Sequence, residues 1–550
     1  MNWQVPEPMM LNKIIRFKTE SGNQQESALS VGIMPRCILA VLSGVLLALP
    51  FLFDQLYLFS WVAFVPLMLA VQGLSVKNSY FIGMLAGLSF VVIGNYWIVT
   101  FIIEVKGYGL FPSILMASLY WFYTCQAIAL LMAGWVWLGK QLQSDNLFLF
   151  PLLVSALFSI FPWLFPISFG GSQSQFLLAI QGADLLGVLA LDFIIALVNS
   201  AIFMFYSRKG ASKNQAGLLM AVAIVMSWFF YGQYALSFWD DEISRWHTKK
   251  IGIIQSNDKP SIEIPKPKAG HGWSFPVEME MSQKLAQAGS DIIIWPESRY
   301  KGYFASSFVR GAYRSQIRAL NTPLIFHDME TVTDKKSANK KHTVREFNTL
   351  IAMNKEGEQD GYYRKMQRIP FGEYLPIIEK NDMDKGVVNE ISDGFMANLS
   401  AGFKHEQFSL AGMQIIPLIC YEVLFSHFVT EAVVGKAKGS VLVAISNDAW
   451  FGQSRQPYQH GAISVLRAVE NRLPLIHAIN NGPSLVVLPS GRNLARSQAF
   501  VQSALQVDMP YSERSGGSFY GQYPWLFLGF IYCLCGLIFL YAIMARLRKD

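Results

Sequence analysis

Apolar positions in this chain fall into two patterns. Before residue 238 they form long unbroken runs near 36–53, 56–73, 80–102, 113–137, 147–165, 184–206 and 216–237, and one more lies near 524–545. A bilayer crossing needs ~20 mostly apolar residues, because in hydrocarbon only a helix satisfies its own backbone polar groups. Each run therefore predicts a transmembrane helix, eight in all. The first two are separated so briefly, at Phe53-Asp54-Gln55, that they must form a hairpin. Residues 1–35 are polar and lack the early apolar core of a cleavable signal peptide, so the first span is expected to remain as an anchor.

Between 238 and 523 the runs shorten to 250–255, 291–295, 323–326, 349–353, 414–419, 440–445, 474–479 and 484–488. Runs of this length, rich in Ile, Leu and Val, suit buried strands. Helix-compatible stretches such as 460–472 interleave with them, which predicts an α/β sandwich. The segment 334–342, with four lysines and no apolar periodicity, reads as a solvated loop.

Composition sharpens this picture. Hydrophobic residues make up 52% of the 550 and charged residues 15%, against ~25% in soluble chains, which excludes a purely soluble protein. The net charge of +7 gains meaning from its placement. Lys13, Arg16, Lys18, Arg36, Lys77, Lys140, Arg208, Lys209, Lys213, Arg546, Arg548 and Lys549 all fall on one side of an eight-span arrangement. The opposite short loops hold little beyond Asp54, Glu104, Lys106 and Asp184. Basic residues collect on the cytoplasmic side, which predicts cytoplasmic termini, residues 1–35 and 546–550, and an outer segment 238–523. The basic residues show no nucleic-acid signature. Asp192, within the sixth span, reads first as a carboxylate bonded to a neighbour and second as a relay or lipid contact.

Cys37, Cys125, Cys533 and Cys535 lie in spans, whereas Cys420 alone belongs to the outer segment. It ends the run 414–419, where a buried strand meets a loop, and chemistry collects at such strand ends. A lone thiol there is either inert or kept free for catalysis. A catalytic thiol needs a group to take its proton and a donor for the oxyanion it creates. His460 and His477 are papain-like candidates; Glu297, in Trp295-Pro296-Glu297, and Lys365 compete with them. No histidine pair has zinc-site spacing.

The combination of Glu297, Lys365 ahead of Pro370-Phe371-Gly372-Glu373-Tyr374, and Cys420-Tyr421-Glu422 resembles the Glu-Lys-Cys triad of the nitrilase superfamily. Ser446-Asn447-Asp448-Ala449-Trp450-Phe451-Gly452 is more specific. So are Phe161-Pro162-Trp163, Gly171-Ser172-Gln173, Arg467-Ala468-Val469-Glu470-Asn471 and Asn480-Asn481-Gly482. With eight spans, the chain resembles the apolipoprotein N-acyltransferase family of bacterial inner membranes. The resemblance implies seven spans over 36–237, an α-β-β-α nitrilase-like domain over 238–523 on the periplasmic side, and an eighth span at 524–545. It implies Glu297 as general base, Cys420 as nucleophile, and Lys365 with the Tyr421 N–H as oxyanion donors, supported by Glu373 and Glu422. A phospholipid would donate an acyl chain through a thioester to the N-terminal amine of a diacylglyceryl-modified apolipoprotein, with no cofactor or metal. Ile264 stands where the family commonly has Trp, and His477 where it has Arg. A membrane-tethered amidase or nitrile hydrolase is the nearest rival reading, followed by an inactive scaffold and then a transporter.

Overall fold

Proline and glycine placement decides how the apolar runs become helices. The computed structural model describes residues 32–142, 146–207, 215–260, 266–298, 301–334, 343–374 and 399–547. Lys13, Arg16, Lys18, Arg208, Lys209, Lys213, Ile264, Arg548, Lys549 and nearly all of 334–342 lie outside the described residues. Helix α1 spans Ile33–Leu52, and the hairpin continues as a 3-10 helix, Asp54–Trp61, before α2, Val65–Val71. The Arg36 guanidinium donates to the Gln72 carbonyl at 2.9 Å, so the start of α1 and the end of α2 share one end of the bundle. The third run breaks at Asn95–Trp97 into α3, Val76–Gly94, and α4, Ile98–Lys106. Helix α5, Leu110–Leu142, is 33 residues long, and Gly87 of α3 packs so closely on it that a Cβ there would stand 2.7 Å from the Cys125 carbonyl oxygen.

The run 147–165 departs most from expectation. Its helix α6, Leu149–Ile160, has only 12 residues, because Pro162 and Pro166 force extended backbone beyond it. Two four-residue helical pieces, α7 (Leu177–Ile180) and α8 (Ala183–Leu186), follow, then α9, Val188–Ser207, and α10, Gln215–Ser244. The last helix is Leu526–Leu547. Among the described residues seven helical segments are long and apolar enough to cross a membrane. The eighth expected span is the short α6. Asp192 accepts from the Ser168 hydroxyl at 2.8 Å and the Gly170 N–H at 2.6 Å, and so pins the irregular chain after α6.

Residues 247–511 contain two six-stranded sheets. The first holds β1 (His247–Gln255), β2 (Ile292–Ile294), β3 (Leu324–Asp334), β4 (Thr343–Met353) and β5 (Gln359–Arg364), with β12 (Ser503–Tyr511) on its edge. The second holds β6 (Phe408–Leu410), β7 (Met413–Ile419), β8 (Ser440–Ser446), β9 (Leu475–Ile479), β10 (Leu485–Val487) and β11 (Asn493–Arg496). Their facing sides share one core, with Ile253, Ile294 and Leu350 meeting Ile415, Val443 and Ile476. Helices α11 (Val277–Gln287) and α12 (Ser307–Leu320) cover the first sheet. Helices Ser426–Val433 and Gln456–Asn471 cover the second, and their core is continuous with the bundle. The layers are therefore helix, sheet, sheet, helix, membrane bundle.

Arg472 rivets the last two layers. It is 1% exposed, and its guanidinium meets Asp184 at 2.7 Å, Gln181 Oε1 at 2.9 Å and the Pro489 carbonyl at 2.8 Å. Removing one partner of a buried pair strands the other charge, which typically costs ~3–5 kcal/mol. Arg472→Leu is therefore expected to lower the unfolding midpoint of the detergent-solubilised protein by several degrees, measured by calorimetry. Arg472→Lys should recover only part, since an ammonium cannot reproduce the planar fork.

Candidate active site

Three strand ends converge on one buried cluster. Glu297 follows β2, on a segment held by the Trp295 indole, which donates to Ser282 Oγ at 2.9 Å. Lys365 follows β5, where its backbone N–H donates to the Asn348 carbonyl at 2.9 Å. Cys420 follows β7 and opens a 3-10 helix, Cys420–Leu424. Its φ is +52°, a left-handed conformation that side-chain-bearing residues adopt at a cost of ~1–3 kcal/mol and that is tolerated where the surroundings enforce it.

The Lys365 ammonium lies 2.9 Å from Glu373 Oε1 and 3.9 Å from Glu297 Oε1. Burial works against its charge, but the carboxylates of Glu373 and Glu297 outweigh burial and hold it above the usual lysine range. The Cys420 thiol has the opposite balance. Burial raises it well above the usual thiol range, Glu297 adds to that, and Lys365 only partly offsets it. At rest the site therefore holds a neutral thiol beside a protonated lysine. Glu297 is fixed on both oxygens: Asn348 Nδ2 donates to Oε1 at 2.6 Å and the Asn447 N–H to Oε2 at 3.0 Å.

The supporting carboxylates do different things. Glu373 accepts from Lys365 on Oε1 and from the Ile369 N–H on Oε2 at 2.9 Å, so it orients the lysine within its own loop. Glu422 is fully buried and accepts four donors: Tyr363 Oη at 2.7 Å, Met366 N–H at 2.6 Å, Gln367 N–H at 3.1 Å and Ile419 N–H at 2.7 Å. Burial pushes its carboxyl up to about 7. This side chain ties the lysine loop to the nucleophile turn, and it is no ordinary loop carboxylate.

The histidines considered for a papain-like pair do not serve the thiol. His460 Nε2 faces the Cys420 carbonyl oxygen at 3.2 Å, and its Nδ1 faces Asp448 at 2.9 Å. Burial opposes its protonation, but Asp448 prevails and raises it. His477 lies between Ser446 Oγ at 2.6 Å and Ser464 Oγ at 2.8 Å, and burial drives it far down. Both brace the backbone behind the site. Asn348 was not singled out from sequence, and its only signal was a polar residue entering the run 349–353. Among the described residues no cluster of His, Cys, Asp and Glu could hold a metal ion.

Tyr421 points away from the sheets and into the bundle. Its hydroxyl donates to the Leu164 carbonyl, and its ring meets Phe165 edge-on at 5.8 Å. Phe451 of the Ser446–Gly452 motif packs there against Trp97 and Phe101 of the bundle, with ring centroids 5.2 and 5.1 Å away. Beside this cluster a mainly apolar cavity of about 420 Å³ lies between the bundle and the sandwich domain, walled by Trp97, Phe158, Trp163, Phe165 and Phe425, with Gln456, His460 and Arg467 on its polar side.

A Glu-Lys-Cys cluster at the ends of sandwiched sheets defines a carbon–nitrogen hydrolase site, here docked on a membrane bundle. Residues 275–514 match the carbon-nitrogen hydrolase family, and residues 43–201 match the apolipoprotein N-acyltransferase N-terminal domain. An apolipoprotein N-acyltransferase of Geobacter metallireducens is 30% identical over 507 residues, covering 88% of this chain and 91% of that one. One of Shewanella oneidensis is 26% identical over 549 residues, covering 96% and 98%. Among solved structures, an amidase of the nitrilase superfamily from Nesterenkonia is 18% identical, covering 48% of this chain and 92% of that one, at a TM-score of 0.34. The chain belongs to the apolipoprotein N-acyltransferase family, and it is a membrane-bound acyltransferase of the carbon–nitrogen hydrolase superfamily.

The thiol's raised titration has a measurable sign. In a Glu297→Gln background the neighbouring base is gone, and alkylation of Cys420 must draw on the free thiolate. Burial, the largest cause of the raised titration, remains when the Glu297 charge is gone, so the rate by peptide mass mapping should keep rising with pH through neutrality with no plateau there.

Proposed function

We propose that the protein transfers a fatty acyl chain from a phospholipid to the α-amine of the N-terminal diacylglyceryl-cysteine of apolipoproteins. The observation that carries this reading is the buried Glu297–Lys365–Cys420 cluster, set against the bundle through Tyr421 in a chain of this family. Both substrates are lipid-anchored, so an enzyme acting on them must hold its thiol at the bilayer surface.

In the first half-reaction Cys420 Sγ attacks the ester carbonyl carbon while its proton passes to Glu297. The oxyanion forms beside the Lys365 ammonium and the Tyr421 N–H, which lies in the first turn of a 3-10 helix and so has no intrahelical partner. Glu297 then returns the proton to the departing lysophospholipid alkoxide, leaving an acyl-thioester. In the second half the free amine attacks that thioester, Glu297 takes the amine proton, and the thiolate leaves and is reprotonated. Thioester to amide is downhill, so neither nucleotide nor metal is needed. The apolar cavity beside Tyr421 supports the accommodation of acyl chains. The basic residues of the short loops support a bacterial inner-membrane location. Termini 1–35 and 546–550 would be cytoplasmic, spans would cover 36–237 and 524–545, and the catalytic segment 238–523 would be periplasmic.

The test is intact-mass analysis of protein incubated with phospholipid, then with a diacylated lipopeptide bearing a free amine. An acyl adduct on Cys420 that disappears as the peptide is acylated is the expected result. Cys420→Ala should abolish both, and Lys365→Ala should slow adduct formation by ~10²–10³, the typical loss of one oxyanion donor. Steady release of fatty acid without an acceptor would favour the tethered hydrolase, and full transfer by Cys420→Ala would overturn the assignment.

A further inference from the structure

The two carboxylates of the site share one neutral neighbour. Asn348 Nδ2 donates to Glu297 Oε1 at 2.6 Å and reaches Glu373 Oε1 at 3.4 Å, while its backbone carbonyl holds the Lys365 N–H. A side-chain amide can turn over, exchanging its donor and acceptor ends. Turned over, Asn348 would present a carbonyl oxygen to both carboxylates, and Glu297 would lose the donor on Oε1. A second group must select the orientation.

His327 is placed to do so. Its Nε2 lies 2.7 Å from Asn348 Oδ1. In the antiparallel β3–β4 register His327 pairs with Leu350 and Met329 with Asn348, so the two side chains are diagonal neighbours on one face. The ring is buried, and burial pushes it down to about 4, so it is neutral around pH 7. Asp328 favours its protonation and Lys365 disfavours it, and neither overcomes burial. A neutral imidazole has a single N–H, and a carbonyl facing Nε2 places it there. The Ser298 backbone also favours protonation of the ring, yet Nδ1 makes no hydrogen bond of ordinary geometry among the described residues, which leaves the Nε2–Oδ1 contact as the ring's one short bond.

We propose that His327 is a positioning residue for the acyl transfer: its Nε2–H fixes the Asn348 amide, which in turn holds Glu297 in the rotamer that serves Cys420. The inference rests on the Glu297 role given above. It extends the site one residue beyond its first ring of contacts, through a side chain that touches none of the reacting atoms.

The experiment compares His327→Leu, which removes the donor, with His327→Gln, which restores an amide N–H, Asn348→Ala, and the double variant His327→Leu/Asn348→Ala. The readouts are acyl-adduct formation from phospholipid and alkylation of Cys420 by iodoacetamide, both followed over pH ~6–9 together with the unfolding midpoint. His327→Leu is expected to slow both reactions about 10–100-fold, the scale of a small misplacement of a reacting group, with half-saturation by phospholipid unchanged. His327→Gln should recover to within about threefold, and the double variant should be no slower than Asn348→Ala, since both act through one amide. Wild-type rates in His327→Leu would overturn the proposal. So would multiplicative losses in the double variant, or His327→Gln as slow as His327→Leu with both midpoints lowered. If the wild-type enzyme takes no acyl group from phospholipid, the functional reading fails, while the alkylation series still decides the relay.

Discussion

An ammonium withdrawn from water must be met by charge or it is lost, and Lys365 is met on two sides. Taking such a group into a protein interior carries a penalty of several kcal/mol per ion unless close partners compensate it. Glu373, in the loop that carries the lysine, and Glu297, after β2, supply that compensation. The arrangement also suits the first step of the proposed mechanism. If the Cys420 proton moves to Glu297, one negative charge shifts from carboxylate to sulfur while the net charge of the cluster stays the same. The lysine already present faces the charge in its new place as in its old one. On that proposal a neutral thiol at rest is compatible with fast chemistry, because base and countercharge stand beside it.

A second constraint acts across the seam with the bundle. Glu470 accepts the Val188 N–H at 2.9 Å, so a carboxylate of the sandwich domain caps the first residue of the long apolar helix α9. Arg472, two residues on, grips the segment just before that helix. The motif 446–452 supplies a backbone donor to Glu297 from Asn447, a bracing partner for His460 from Asp448, and an aromatic anchor in the bundle from Phe451. One stretch of seven residues therefore aligns the Glu297 carboxylate and docks the domain, which accounts for its specificity as a sequence signature.

The two patterns of apolar residues expose the class of the fold, because hydrophobic burial over long and short periods is a local property of the chain. The runs 250–255, 291–295 and 440–445 became β1, β2 and β8. Strands that carry little apolar character escaped: β5, Gln359–Arg364, owes its place to pairing with β4, and β11, Asn493–Arg496, is largely exposed. The helix ends at Gly94 and Ile160 were also missed, since a hydropathy run does not register where backbone geometry stops. Within the site, residues grouped by local motifs were visible. Asn348 and His327 were not, because their roles come from a hairpin register that brings a polar pair to one face. His460 was visible for the wrong reason: its ring is near the nucleophile but bonds the carbonyl behind it.

Helix α6 has a further consequence. Twelve residues rise about 18 Å, well short of a ~30 Å hydrocarbon core, so α6 alone does not cross one, and the chain after Ile160 continues as irregular backbone packed in the bundle. Such backbone survives only where its polar groups are answered from within. Asp192 answers Ser168 and Gly170, Ser60 and Ser172 share a hydroxyl contact at 3.0 Å, and Gln173 joins the Trp61 indole to the Tyr57 carbonyl. These side chains act as a solid-state solvent, doing for this segment what water does for a surface loop. The segment thus keeps an irregular shape against the bundle, while the cavity it borders keeps a polar wall at His427, Gln456 and Arg467.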